Sequence, residues 1–176
     1  MALKVIRPDL LAFEGARERF RREVEAVARL SHAGIVPVYQ VGDEHGMPWF
    51  AMELVEGQSL ADIVARLRGR DPATLHEADL LHGSADKSAS ASSTPSSWEH
   101  GCVRLARGLA EALAHAHSRS VLHRDVKPSN VILDASGNVR LLDFGLSQLE
   151  GASELTKSGA LLGSLPYAPP EHVRGE

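Results

Sequence analysis

Two carboxylates, one carboxamide and one ammonium group stand at short fixed intervals in the segment 121–145: Asp125, Lys127, Asn130 and Asp143. They lie on polar stretches set between short apolar runs, so they read as loop residues presented by strands. Carboxylate and carboxamide oxygens suit a hard cation such as Mg2+, which takes one or two side chains and completes its shell with phosphate and water. An ammonium group nearby suits a transferring phosphoryl group. Asp125 precedes Asn130 by five residues, a spacing that lets a carboxylate meet an incoming hydroxyl while the amide faces a metal. Between the two halves of this set, Val131 to Leu133, a turn over 134–138, and Val139 to Leu142 read as a hairpin.

These motifs, His123-Arg124-Asp125, Lys127, Asn130 and Asp143-Phe144-Gly145, resemble the catalytic loop and the metal-binding turn of the eukaryotic-like protein kinases. A lysine at position 127 resembles the serine/threonine branch. The resemblance implies Asp125, Lys127 and Asn130 as catalytic residues, and Asn130 and Asp143 as ligands of Mg2+ beside ATP. His123 and Phe144 are expected to pack and to set the two loops. The opening Ala2-Leu3-Lys4-Val5 resembles the strand that carries the family's phosphate-binding lysine, here Lys4. Residues 14–30 form an expected amphipathic helix with Phe20, Val24, Val27 and Ala28 on its apolar stripe. The resemblance pairs Glu23 of that helix with Lys4. Two further apolar runs, 35–41 and 47–55, are joined by a turn over 42–46. The second resembles the hinge between two lobes, which implies Met52 as gatekeeper, backbone contacts to adenine from Glu53 and Val55, and Leu133 beside the nucleotide.

Ser59 and Asp62 have the spacing of a helix cap, which predicts a short helix through Ile63, Val64 and Leu67. Residues 84–98 are dominated by serine and are expected to be a flexible insert. Cys102, Leu105, Leu109, Leu113 and Ala116 then recur at helical spacing. Beyond Gly145, Thr156 and Ser158 are candidate sites of self-phosphorylation, with Arg124 as partner for the phosphate. Residues 163–171 resemble the family's substrate-docking segment, with Pro169 in place of its usual alanine.

The implied fold is therefore α+β and two-lobed: a partial antiparallel N-lobe sheet with one helix over 1–55, and the first part of a mainly helical C-lobe over 56–176. Only three residues precede Lys4 and five follow Glu171 among the 176 of the chain, so no Gly-rich loop and no later C-lobe helices are expected within it. The implied activity is transfer of the ATP γ-phosphate to a protein serine or threonine hydroxyl. The alternatives are a non-catalytic kinase-like interaction module and, less in keeping with Lys127, a small-molecule phosphotransferase. A net charge of −4 gives no general attraction to nucleic acid or anionic membrane. No apolar run is long enough to span a bilayer. One cysteine, Cys102, permits no internal disulfide and fits a reducing cytoplasm. His115 and His117 stand two apart, so on a helix they diverge and do not share a metal.

Overall fold

A computed structural model of the chain describes residues 1–6, 15–81 and 97–144, together with Tyr167 and Pro170. Two three-stranded antiparallel sheets organise it, in the orders β1-β3-β2 and β4-β5-β6. The first holds β1 (Ala2–Val5), β2 (Val38–Glu44) and β3 (Met47–Met52). β2 and β3 form a hairpin closed by His45 and Gly46, whose φ angles of 51° and 78° match the twist of the flanking strands. The Asp43 side chain accepts from the Gly46 N–H at 2.8 Å and fixes the turn. The expected strand from residue 35 begins only at Val38. Ile35 instead bridges Leu141 of the other sheet, and Pro37 lies between the two assignments.

α1 (Ala16–Ala28) follows Gly15, which takes the left-handed conformation at φ 75°. Phe20 and Val24 are buried and, with Ala16, Ile6 and Phe50, make a small core against the first sheet, while buried Val27 joins the main core. Each of the larger side chains contributes roughly 1.5–3 kcal/mol by leaving water. Ala28, expected on this stripe, is exposed; the buried line runs from Val27 to Leu30.

The second sheet, β4 (Gly57–Ser59), β5 (Val131–Asp134) and β6 (Val139–Leu141), lies over the main core. β5 and β6 are the expected hairpin. Asp134 accepts from the N–H groups of Ser136 and Asn138, both at 2.9 Å, which closes the turn without a strained residue other than Gly137. α2 (Leu60–Leu67) leaves β4 directly. Ser59 caps it as expected: its Oγ accepts from the Asp62 N–H at 3.1 Å and donates to the Asp62 carboxylate at 2.6 Å. A short α3 (Ala78–Leu81) follows, then α4 (Trp98–His117). Ser97 caps α4 by accepting from the His100 N–H at 3.3 Å, so the last two residues of the expected insert belong to a helix start. Ala112 and Ala116 are fully buried on α4, while Leu105, Leu109 and Leu113 pack at the edge of the core. Cys102 is half-buried, and burial pushes its thiol pKa up, with Glu99 adding to the shift. Among the described residues no helix is long and apolar enough to cross a membrane.

Candidate active site

α4 ends at His117, capped by Ser118, and the chain continues through 119–127 to the 3-10 turn that precedes β5. His123 holds this loop to the segment after β6. It is 2 % exposed, its Nδ1 accepts from the Asp125 N–H at 3.2 Å, and its Nε2 donates to the Leu142 carbonyl at 2.7 Å. Two such bonds require the neutral Nε2–H tautomer. Burial pushes its pKa down, against smaller opposing effects led by the Leu142 carbonyl. The Phe144 ring sits 4.6 Å from the imidazole, and Phe144 is buried in the main core. The expected packing role of His123 and Phe144 is thus a definite one: they join the loop bearing Asp125 to the turn bearing Asp143.

Asp125 is held from three directions. Asn130 Nδ2 donates to its carbonyl at 2.8 Å and to its Oδ2 at 3.0 Å, and Lys127 Nζ reaches Oδ2 at 2.7 Å. A short 3-10 turn, Pro128–Asn130, sets this spacing and buries Asn130. With its amino group committed to Asp125, Asn130 has its carbonyl oxygen left for another partner. Lys4 Nζ, on β1, lies 2.7 Å from Asp143 Oδ2, with the two side chains 30 % and 26 % exposed. Asp143 Oδ1 is buried and has no hydrogen-bond partner. Asp143 takes φ 58° and Arg124 φ 66°, conformations that cost a non-glycine residue energy and that concentrate at functional sites.

Glu23 does not meet Lys4. Its Oε1 accepts from Arg124 Nη1 at 3.2 Å, and its Oε2 is buried without a partner. The expected Lys4–Glu23 pair is therefore replaced by two others, Lys4–Asp143 and Glu23–Arg124. Met52 is half-buried and, with Val24, Val27, Val36, Val38, Phe50, Asp143 and Phe144, lines a void of about 20 Å³, too small for more than a single water. Glu53 and Val55 lie in the four-residue joint 53–56 between β3 and β4. Leu133, expected beside the nucleotide, is 4 % exposed and belongs to the main core. Side chains alternate along a strand, so Ile132 faces the other way, on the face shared with Ser59 and Arg140. Thr156, Ser158 and Gly145 lie outside the described residues, as does most of 163–171.

A larger concavity of about 800 Å³ lies elsewhere, lined by His32, Glu53, Arg104, Arg107, Glu111 and Arg140 among others. None of Lys4, Asp125, Asn130 or Asp143 lines it. Sequence reasoning missed Arg140, which pairs with Glu53, and missed Arg124 as the partner of Glu23. Arg140 gave a weak signal only, as the polar residue between buried Val139 and Leu141.

The family model for the protein kinase domain matches residues 1–176. The serine/threonine-protein kinase PrkC of Bacillus subtilis is 30 % identical over 175 residues, which are 99 % of this chain and 23 % of the relative. The serine/threonine-protein kinase PknL of Mycobacterium tuberculosis is 34 % identical over 174 residues, 99 % of this chain and 37 % of the relative. The crystal structure of the Mycobacterium tuberculosis PknI kinase domain superposes with a TM-score of 0.56 at 32 % identity, covering 81 % of this chain and 48 % of that one. The chain thus spans about half of that solved domain and less than two fifths of these curated relatives.

Proposed function

The chain belongs to the protein kinase domain family, with the two-lobed kinase fold in part, and on that premise we propose that it transfers the γ-phosphate of ATP to serine or threonine hydroxyls of proteins. The observation that supports the reading is the pair of contacts Lys4–Asp143 and Lys127–Asp125–Asn130, with the Leu142 N–H beside Asp143 donating to the Asn130 backbone carbonyl at 2.9 Å. Phosphoryl transfer asks a protein for alignment and for charge placed where charge develops. Asp125, fixed by Asn130 and Lys127, accepts the proton of the attacking hydroxyl. The new bond forms between that oxygen and the γ-phosphorus, the bond to the β-phosphate oxygen breaks, and ADP leaves. Lys127 lies beside Asp125 and places positive charge on the transferring group.

The oxygens present fit magnesium: an unpartnered buried Asp143 Oδ1 and the uncommitted Asn130 carbonyl are hard donors. Asp143 and Asn130 would hold the ion, which when bound offsets the negative charge of the phosphates. Lys4 is the residue for the α- and β-phosphates, and the backbone of Glu53 and Val55 for adenine, below Met52. Binding of ATP in this manner requires Lys4 to exchange Asp143 for phosphate oxygens. Glu23 then takes Lys4 as partner, and Arg124 is released to a phosphate on Thr156 or Ser158. In this reading 1–55 is the N-lobe side and 56–176 the C-lobe side, and the chain acts in the cytoplasm on protein substrates.

Purified chain incubated with γ-labelled ATP, Mg2+ and a generic protein substrate tests the proposal. Label on protein serine or threonine, lost in Asp125→Asn and in Asp143→Asn, is the expected result. Labelling no higher than in those variants would remove the assignment of turnover and leave a kinase-like binding module.

A further inference from the structure

The two sheets are joined by only four residues, 53–56, between the end of β3 and the start of β4. If adenine is read by backbone groups of this joint, their direction must be held to within a fraction of an ångström. The concavity of about 800 Å³ flanks Glu53. Two polar contacts hold it there. The Glu53 N–H donates to the Pro37 carbonyl at 3.1 Å, and the Glu53 carboxylate accepts from Arg140 Nη2 in a tight ion pair. The two side chains are 87 residues apart in sequence and only 32 % and 18 % exposed.

Arg140 is itself anchored. It sits on β6 opposite Ile132 and three residues before Asp143. The next residue, Leu141, donates its N–H to the Gly34 carbonyl at 2.9 Å and accepts from the Val36 N–H at 3.0 Å. The strand, the segment 34–37 and the joint therefore close a ring: Leu141 to Gly34 and Val36, Pro37 to Glu53, Glu53 to Arg140. Cutting the ion pair opens this ring at its only side-chain link. The Arg140 Nε is buried without a partner, so the guanidinium has no second acceptor there to hold it once Glu53 is gone.

We propose that Arg140 is a positioning residue for the nucleotide: through the Glu53 carboxylate it fixes the backbone of 53–55 that faces adenine, and it ties that backbone to the strand that presents Asp143. The proposal rests on the reading of the joint as the adenine site. A guanidinium suits the task because its planar fork sets orientation as well as charge, which an ammonium group does not.

The test compares wild type with Arg140→Gln, Arg140→Lys, Glu53→Gln and the double variant Glu53→Gln/Arg140→Gln. For Arg140→Gln we expect the KM for ATP and the dissociation constant for adenosine to rise about tenfold, the effect of one lost orienting contact. kcat should change far less, Mg-tripolyphosphate should bind as before, and the Glu53 amide should exchange faster. Arg140→Lys should restore only part of the adenosine affinity. The double variant should be no worse than either single one, because both remove the same contact. The inference is overturned by unchanged adenosine affinity and Glu53 amide protection in Arg140→Gln. It is overturned equally by a matching loss of adenosine and tripolyphosphate binding, which marks general loosening. A wild-type chain that binds neither ATP nor adenosine overturns the reading of the cleft itself, and the proposal with it.

Discussion

Replacing His123 by leucine tests how the two catalytic segments are joined. Leucine fills much of the same volume but makes no hydrogen bond. It leaves the Leu142 carbonyl without its 2.7 Å donor and the Asp125 N–H without its 3.2 Å acceptor. An unsatisfied buried polar group costs about 1–3 kcal/mol. The Asp125 contact is the longer of the two and counts less, and the greater hydrophobicity of leucine offsets part of the loss. A net destabilisation of about 3 kcal/mol is expected, read from urea unfolding near pH 7.5. The pH dependence supplies an independent check. The folded-state pKa of His123 is lowered by burial, so the unfolded chain binds the proton first. The stabilising contribution is full above the unfolded value, about 6.5, and falls as the pH drops from there toward the folded value, by at most about 1.4 kcal/mol per pH unit. That component should vanish in His123→Leu, so the gap between wild type and variant should narrow from pH 7.5 to pH 5.5. A variant as stable as wild type, or a gap that is constant across this range, would refute the assignment of the neutral, doubly bonded imidazole.

Three further outcomes follow from particular contacts. Gly57→Ala should destabilise by about 1–3 kcal/mol in thermal unfolding, because its Cβ would stand 2.2 Å from the Leu133 carbonyl oxygen in the paired strand, where backbone must shift. A double-mutant cycle of Glu23→Gln and Arg124→Gln should give a coupling of about 1 kcal/mol, between that of exposed and fully buried pairs, since the side chains are 19 % and 33 % exposed. Asp143→Asn should change stability by less than about 1 kcal/mol in the same unfolding assay, because the part-buried ion pair it weakens with Lys4 is offset by neutralising a carboxylate whose Oδ1 is buried without a partner.

The chemistry-bearing loops were legible because short spacings constrain them. Asp125 and Asn130 are five residues apart around a proline-led 3-10 turn, and the β5–β6 hairpin leaves Asp143 little freedom of place. The Ser59 cap and the β2–β3 hairpin were legible for the same local reason. What depends on distant elements was not. Which acid Lys4 meets is decided by where α1 sits over the sheet, and the helix places Glu23 beside Arg124. Which face Leu133 takes was not legible either: strand parity turns it into the core, and one residue of register would exchange the faces of Leu133 and Ile132. β4 and α3 are too short to leave a periodic signal, and β4 exists through its pairing with β5. The Glu53–Arg140 pair spans 87 residues, and neither side chain is unusual where it stands.

The central claim is that Lys4, Asp125, Asn130 and Asp143 converge on one metal-bound nucleotide. The most direct measurement is calorimetric titration of ATP into the chain with and without Mg2+, repeated for Asp143→Asn, Asn130→Ala and Asp125→Asn. The account requires tighter binding with Mg2+ than without, loss of that enhancement in the first two variants, and its retention in Asp125→Asn. Binding of ATP that is indifferent to Mg2+, or equally affected by all three substitutions, would contradict it.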